Sequence, residues 1–286
     1  MFTMSRQGRG EVAHKFSLEH LTVLPFTPPE LVHIAAEAGY EYVGLRTMPL
    51  GVAGEAECDI AHNGHLMRQT RQALSVTGLS VSDVEVVRIA ADVDPLTYEP
   101  SFAAAAEIGA IDVTASVWTP DLACASDSFE TLCQLARPYG LRINLEFVAA
   151  ASVSTLAGVL RLLRLSESEN IGVVLDMYHV HRAATNLAEL DDVPTEWWHF
   201  YQLCDAPAAS PCSPDAIREE MRERRLYLGE GGIDVAGILS HVPSAIYGLE
   251  IPNLTRLSEL GPVGHATRCL ETAKSYFAGN WEDVAS

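Results

Sequence analysis

Short runs of apolar or alternating residues recur along the chain, and they predict β-strands. The runs are rich in Val, Ile, Leu and aromatic residues, which is typical of strands that pack into a buried sheet. The segments between them are long enough to hold helices. The eight predicted strands span residues 16–23, 40–46, 79–89, 111–118, 141–147, 171–178, 198–205 and 245–251.

The segment between the first two strands has the local signals of a helix. Thr27 is placed as the N-cap, and Glu30 follows three residues later, which is the spacing of a capping box. Pro28 occupies the first helical position, where its missing N–H costs little. Gly39 ends the apolar pattern of period 3.6. We therefore predict a helix from Pro28 to Gly39.

Similar signals predict helices later in the chain. Asp127 and Glu130 repeat the capping pattern, and Pro138 and Gly140 stop the helix that would follow. Two further amphipathic segments are 152–167 and 213–225, the second with Ser213 before a proline.

Strands that alternate with helices predict a parallel sheet with the helices packed outside it. At this length a closed (β/α)8 barrel is the favoured fold, over residues 15–280, with a flexible tail at 1–14. A doubly wound open sheet is the alternative. The dinucleotide fingerprint GxGxxG does not follow the first strand, and no GxxxxGK[ST] motif occurs. The segment "LGEGGID" (228–234) is only a weak indication of phosphate binding.

Charge and composition narrow the classes of function. The chain has 38 acidic residues against 19 Lys and Arg, a formal net charge of −19. Such a field repels nucleic-acid phosphates, so we expect no nucleic-acid partner. No apolar run is long enough to span a membrane, and the polar start of the chain does not look like a signal peptide.

The cysteines and one aromatic segment bear on location and assembly. Six cysteines are scattered without a CxxC pair, which suits free thiols in the cytoplasm better than disulfides. The segment "EWWHFY" (196–201) could form an aromatic face, and on this basis we expect a homodimer.

Polar residues stand near the carboxyl ends of the predicted strands, where a barrel carries its chemistry. Four of them offer oxygen donors at matching positions on the last four strands: Glu146, Asp176, Gln202 and Glu250. Converging carboxylates would repel one another, and a divalent cation removes that conflict. Oxygen donors suit Mg2+ or Mn2+ better than Zn2+. We therefore predict a metal site here. A single acidic residue in such a place would more often be solvated or paired with a base.

The sequence allows more than one role for other polar residues near the strand ends. His179 lies three residues after Asp176, which favours a functional role over simple packing. Arg46 and Glu85 fit either substrate contact or an internal ion pair. Asp205 is expected to orient a neighbour. The remaining histidines near these strands, His181 and His199, are expected to be surface or packing residues.

These residues carry a family resemblance. The segments "PPELVHIAAEAGYEYVGLR", "NLEF", "VVLDMYHVHR", "YQLCDAP", "LGEGGID" and "GLEIPN" resemble the sugar phosphate isomerase/epimerase superfamily of xylose-isomerase-like TIM barrels. The resemblance spans residues 16–278. It implies that Glu146, Asp176, Gln202 and Glu250 hold one divalent cation and that His179 contacts substrate or transfers protons. It also implies a substrate-binding arginine at Arg224 or Arg225.

The resemblance implies an activity class but not one reaction. It favours a metal-dependent isomerase or epimerase that acts on a sugar-like hydroxy-ketone through a metal-stabilised enediolate. In that scheme Glu146 and Glu250 would exchange protons on opposite faces of the substrate. If His179 were instead the base and a hydroxyl group left, the protein would be a lyase of the 3-dehydroshikimate dehydratase type. A non-catalytic binding protein is the third alternative.

One departure from the pattern bears on the choice. Ketose 3-epimerases and inosose dehydratases of this superfamily generally have histidine where this chain has Gln202, whereas some 3-dehydroshikimate dehydratases have glutamine. The extra His and Glu ligands of endonuclease IV are not evident. Specificity is expected in the loops 47–65 and 206–230, the second of which is either a lid or an inert surface loop.

Overall fold

The computed structural model describes residues 14–280, which form a closed barrel of parallel strands in chain order. Each strand pairs with the next, and the last pairs with the first. The (β/α)8 prediction is therefore confirmed. The predicted tail lies outside the described residues, apart from His14. The strands are β1 (Lys15–Glu19), β2 (Tyr42–Arg46), β3 (Ser80–Ile89), β4 (Asp112–Val117), β5 (Arg142–Glu146), β6 (Ile171–Asp176), β7 (Trp198–Leu203) and β8 (Ile246–Leu249).

Helices pack around the barrel and connect its strands. They are α1 (Pro28–Ala38), α2 (Gly64–Thr77), α3 (Glu99–Glu107), α4 (Leu122–Ala136), α5 (Leu156–Leu165), α6 (Met177–Arg182), α7 (Pro214–Glu223), α8 (Val235–Leu239) and α9 (Leu254–Asn280), the last broken at Gly261. No helix among the described residues is long and apolar enough to cross a membrane.

The first predicted helix is confirmed in its details. The backbone N–H and the hydroxyl of Thr27 both donate to the Glu30 carboxylate, at 2.8 and 2.6 Å. Pro28 is the first helical residue, and Gly39 ends the helix with φ of 87°. The capping box and the left-handed glycine therefore set both ends of α1.

The predicted start of the fourth helix was wrong. Helix α4 begins at Leu122, because the Asp121 carboxylate accepts the N–H groups of Ala123 and Cys124 and acts as the N-cap. Asp127 lies inside the helix. Glu130 does not close a capping box either. Its carboxylate accepts hydrogen bonds from Ser166 and Ser168 instead, which fastens α4 to the segment before β6.

The aromatic segment 196–201 does not form an exposed face. Trp198, Phe200 and Tyr201 lie in β7 and are buried within the barrel wall. The alternation of this strand turns its aromatic rings toward the barrel and the surrounding helices. The homodimer stays a prediction, and this segment does not support it.

The barrel interior also holds an acidic residue from the first strand. Glu19 at the end of β1 is fully buried, and a Cβ atom at Gly44 or Gly248 would collide with its carboxylate. Glycines on the two neighbouring strands therefore make room for this side chain. Burial first, and the nearby Asp83 second, raise the pKa of Glu19 well above its usual range.

Candidate active site

The carboxyl ends of the last four strands bring together the four side chains predicted as metal ligands. Glu146 and Asp176 end β5 and β6, Gln202 lies in β7 opposite Asp176, and Glu250 directly follows β8. All four are buried. The parallel register places the last residues of neighbouring strands at one edge of the barrel, and this is why sequence positions about 30 to 50 residues apart meet.

One arginine joins two of these carboxylates. Arg225 Nη1 lies 2.8 Å from Asp176 Oδ2 and 2.9 Å from Glu250 Oε2. The Arg225 side chain is 1% exposed, and its Nε donates to the Met221 carbonyl at 2.9 Å. Its guanidinium carbon lies 5.0 Å from the centre of the Tyr178 ring. The guanidinium is therefore held in one orientation by charge, hydrogen bonding and stacking.

The backbone explains why Arg225 and not Arg224 points inward. The Arg225 N–H donates to the Pro252 carbonyl at 3.0 Å, and the Asn253 side-chain amide donates to the Arg225 carbonyl at 2.9 Å. This pairing beyond β8 fixes which of the two side chains faces the barrel. Arg224 is 56% exposed and pairs with Glu219. The structure thus brings Arg225, and not Arg224, to the strand ends.

The cluster has an excess of negative charge. Glu146, Asp176 and Glu250 contribute three carboxylates. The guanidinium of Arg225 is the cation that pairs with two of them. Burial raises the pKa values of Glu146 and Glu250 well above their usual range. Burial acts on Asp176 in the same direction, but Arg225, His179 and the Tyr178 N–H outweigh it and leave that pKa lowered. Without a further cation, Glu146 and Glu250 would therefore tend to hold protons.

His179 faces the same carboxylates in a defined protonation state. Its Nε2 lies 3.8 Å from Glu146 Oε1 and 3.7 Å from Asp176 Oδ2. Its Nδ1 accepts the N–H of Ala149 at 3.2 Å. Burial lowers the pKa of His179 to about 4, so the ring is neutral at pH 7. Since Nδ1 is an acceptor, the neutral ring carries its proton on Nε2, toward the carboxylates.

The donor set fits a hard divalent cation. Gln202 Nε2 donates to Glu250 Oε1 at 3.4 Å, while Gln202 Oε1 is buried and has no hydrogen-bond partner among the described residues. An unpaired buried amide oxygen is costly unless something else binds it. Ligand atoms of Glu146, Asp176 and His179 lie within 4.8 Å of one another. Buried carboxylate and amide oxygens of this kind can hold a divalent cation.

Arg46 and Glu85 form an ion pair and also line the site. Arg46 Nη2 lies 3.6 Å from Glu85 Oε2, and Nη1 lies 3.1 Å from Glu55 Oε1. Both residues border the same cavity as Glu146 and Glu250. Glu55 was not predicted, because it comes from loop 47–65 and no motif marks it. It also accepts the N–H groups of Leu50 and Gly51, which shapes that loop.

The side chains border a small cavity at the barrel mouth, here called the inner cavity. Its volume is about 190 Å3, and it is lined by Arg46, Glu85, Glu146, His179, Arg225 and Glu250, among other residues. Pockets for drug-sized ligands usually have volumes of about 300–1,000 Å3. The inner cavity therefore suits a small molecule.

Asp205 and the glycine-rich segment form a structural unit beside the site. The Asp205 carboxylate accepts the N–H groups of Gly229, Gly231 and Ile233 at 2.8 to 3.1 Å. A Cβ atom at Gly231 would collide with the Ala206 carbonyl and with Asp205. These N–H groups are occupied, so this loop is not a phosphate cradle. Asp205 orients the neighbouring backbone segment, as its sequence position indicated.

The other histidines lie away from the carboxylates. His199 Nε2 lies 3.3 Å from the Ile171 carbonyl, in the wall between β6 and β7. His181, in α6, makes no ion pair with the carboxylate cluster among the described residues.

Comparison with known proteins gives both close fold matches and partial sequence matches. A 126-residue segment is 31% identical to a 3-dehydroshikimate dehydratase of Pseudomonas aeruginosa, covering 44% of this chain and 19% of that protein. A 116-residue segment is 28% identical to an inosose isomerase of Bacillus subtilis, covering 40% of each. The matched segments therefore span about a fifth and two fifths of these relatives.

The fold match is more extensive than the sequence matches. The structure of an IolI protein with a bound zinc atom superposes with a TM-score of 0.78 at 17% identity, covering 93% of this chain and 99% of that one. The family model described as a xylose isomerase-like TIM barrel matches residues 32–272, which include Glu146, Asp176, Gln202 and Glu250. The chain therefore belongs to the xylose isomerase-like TIM barrel family.

Proposed function

We propose that this protein is a divalent-metal-dependent isomerase or epimerase that acts on a sugar-like hydroxy-ketone. The observation that carries the proposal is the buried excess of carboxylates around the unpaired Gln202 Oε1. Three carboxylates and one guanidinium leave a formal charge of −2 if all are ionised, which one divalent cation neutralises. Glu146, Asp176, Gln202 and Glu250 would hold that cation, Mn2+ or Mg2+. A bound cation would polarise the substrate carbonyl and stabilise negative charge on its oxygens.

The protein's own residues transfer the protons, orient the carboxylates and bind the substrate. Glu146 or Glu250 removes the proton from the carbon next to the carbonyl, and the other glutamate returns a proton to give the isomer. Arg225 holds Asp176 and Glu250 in place and keeps both acceptors oriented. The Nε2–H of His179 is available to donate a hydrogen bond to a substrate oxygen.

The protonation state of His179 favours isomerisation over dehydration. A dehydratase scheme with His179 as the base requires a free lone pair on Nε2. The Ala149 N–H occupies Nδ1, so the neutral ring places its proton on Nε2 and cannot accept another there. The two glutamates are then the bases within the cluster, which matches the isomerase scheme.

The test measures exchange of the substrate's carbon-bound proton in D2O. With the diamagnetic Mg2+ present, a panel of neutral, carboxylated and phosphorylated ketoses and keto-polyols is followed by proton NMR. We expect exchange and isomer formation with at least one of them. Glu250→Gln should keep bound metal, measured by mass spectrometry, and lose at least about a hundredfold in exchange rate. Glu107→Gln, an exposed residue on α3, is the matched control. Unchanged exchange in metal-loaded Glu146→Gln and Glu250→Gln would exclude the two-glutamate scheme.

A metal-dependent lyase of the 3-dehydroshikimate dehydratase type is the second candidate. It is favoured by the 31% identity to the Pseudomonas enzyme and by Gln202 in place of histidine. Incubation with 3-dehydroshikimate and Mn2+ tests it by the rise in aromatic ultraviolet absorbance. No rise at high enzyme concentration would remove this candidate.

A cytoplasmic location, a small-molecule substrate and the absence of a nucleic-acid partner belong to the same proposal. All six cysteines are free, and four of them are buried. Free buried thiols are compatible with a reducing compartment.

A further inference from the structure

A second cavity opens beside the inner cavity, and it is here called the outer cavity. Its volume is about 550 Å3. Leu50, Val52, Ser116, Trp118 and Arg222 line both cavities, so the two share a wall. A molecule that reaches from the inner cavity past this wall would enter the outer one.

The outer cavity is lined by three arginines. Arg88 lies near the end of β3, and Arg218 and Arg222 lie one helical turn apart on α7. None of the described residues that line this cavity is acidic. Among the described residues, Arg88 and Arg222 form no ion pair, and Arg218 pairs only with the largely exposed Asp215. The residues that line the cavity therefore carry positive charge with no acidic group among them, although the neighbouring Glu223 on α7 acts on Arg222 with opposite charge.

A ring contact holds Arg88, and all three arginines line the same cavity. The Arg88 guanidinium stacks 4.7 Å from the centre of the Trp118 ring, and the Trp118 indole N–H donates to Ser116 Oγ at 2.9 Å. Partial burial first, and then the charges of Arg46, Arg218 and Arg88 in that order, lower the pKa of Arg222. Like charges that crowd in a half-buried cavity repel one another, and an anion bound between them would relieve that repulsion.

Contacts of Glu220 hold helix α7, which carries Arg218 and Arg222, against α6. Glu220, which lies between Arg218 and Arg222 on the helix, accepts hydrogen bonds from Tyr178 at 3.0 Å and from Arg182 Nη2 at 2.6 Å. Both partners belong to α6, which follows Asp176 directly. Within the segment 206–230, helix α7 therefore packs against α6 and forms a wall of the site.

We infer that the outer cavity binds an anionic group of the substrate, a phosphate or a carboxylate, through Arg88, Arg218 and Arg222. The inference rests on the proposed function, in which the hydroxy-ketone part of the same substrate occupies the inner cavity. Guanidinium groups bind phosphate and carboxylate oxygens by paired, charge-assisted hydrogen bonds. The local positive charge contrasts with the chain's net charge of −19, so it does not reflect the general composition of the surface. The substrate class is therefore an acidic or phosphorylated hydroxy-ketone rather than a neutral sugar.

The test uses the full chain loaded with Mn2+ and titrates it with inorganic phosphate and, separately, with acetate. Binding is measured by calorimetry at low ionic strength. We expect saturable binding of one or both anions, and the tighter one identifies the type of group. Arg88→Gln and Arg222→Gln should each weaken binding by at least about tenfold, because each removes a charge-assisted contact. Arg71→Gln is the matched control, since Arg71 pairs with Glu107 on the outer helices.

The outcomes separate this inference from the proposed function. An anion bound only through the cation would bind the wild type and the arginine variants equally, and that result would overturn the inference, as would the absence of saturable binding. Arg218→Gln, at an exposed position, serves as the third variant if another does not fold. Failure of the proposed function would appear instead as absent proton exchange in D2O, whatever the anion affinity.

Discussion

Arg225 Nη1 lies 2.8 Å from Asp176 Oδ2, and both side chains are almost completely removed from solvent. The same nitrogen also contacts Glu250, so one guanidinium group joins two residues that come from different strands. Coulomb attraction at this depth offsets the cost of burying the charges only while all partners are present. The arginine is therefore part of the framework that holds the carboxylates in position.

Removal of Arg225 should destabilise the protein strongly. Arg225→Gln leaves Asp176 and Glu250 buried without their cation, and we expect a loss of about 3–5 kcal/mol in the free energy of unfolding. Urea unfolding in the presence of EDTA measures it. Added Mn2+ should restore part of the loss, since it supplies positive charge to the same oxygens. Arg224→Gln is the matched neighbour, is 56% exposed, and should change stability by less than about 0.5 kcal/mol. Equal stability of the two variants would contradict this account.

Gln202 should set the choice of metal. Gln202→His replaces an amide oxygen by an imidazole nitrogen, a donor that Zn2+ prefers more than Mn2+ does. We expect the ratio of Mn2+ to Zn2+ dissociation constants to rise by at least about tenfold, or ~1.4 kcal/mol. Competition titrations with a fluorescent chelator measure both constants.

Gln134→His places a histidine on the surface of α4 and controls for non-specific zinc binding. If Gln202→His has the same ratio of Mn2+ to Zn2+ dissociation constants as the wild type and Gln134→His, Gln202 is not a ligand.

Most of the fold could be predicted from the sequence because its signals are local. The strands are short apolar runs whose positions differ from the observed ones by only a few residues. The helix ends at Thr27 and Gly39 follow from side chains a few residues apart. The prediction of Asp127 as an N-cap was wrong because another acidic residue, Asp121, lies closer to the preceding strand and caps the helix. Both aspartates have the side chain of an N-cap residue, so the local sequence alone does not distinguish them.

The site was less predictable wherever it depends on long-range contacts. The parallel register of the barrel is enough to bring Asp176 and Gln202 together. In contrast, sequence could not tell Arg224 from Arg225, because the choice depends on backbone pairing with residues beyond β8. Arg88 and Arg222 were missed for the same reason, since neither belongs to a motif and only the folded helix α7 brings them near each other.

Asp205 should control the order of the glycine-rich loop. Asp205→Asn replaces a carboxylate oxygen by an NH2 group that would face the N–H donors of Gly229 and Gly231. We expect a loss of about 2–3 kcal/mol in stability and faster amide hydrogen exchange over residues 226–233. Hydrogen exchange with mass spectrometry locates the effect. Asp215→Asn, at a side chain that is 94% exposed, should leave the exchange in this loop unchanged.

His20 should make stability depend on pH between about 4 and 6.5. Its ring is buried at the end of β1, where Nδ1 accepts the Arg46 N–H at 2.9 Å and Nε2 donates to the Phe26 carbonyl at 2.7 Å. Burial, opposed in part by the Phe26 hydrogen bond, lowers its pKa to about 4, whereas the unfolded chain has a value of about 6.5. The unfolded state therefore binds a proton before the folded state does, and stability falls as the pH is lowered through this window.

The difference between the wild type and His20→Gln isolates this effect from the other titrating groups. At pH 7 the variant should be less stable, because it loses the two hydrogen bonds of the ring. The gap should narrow by up to about 3 kcal/mol as the pH falls to 4, since only the wild type pays the cost of protonating a buried imidazole at this position. Urea unfolding at half-unit steps of pH measures it. A gap that stays constant across the window would show that His20 does not titrate with the shifted pKa.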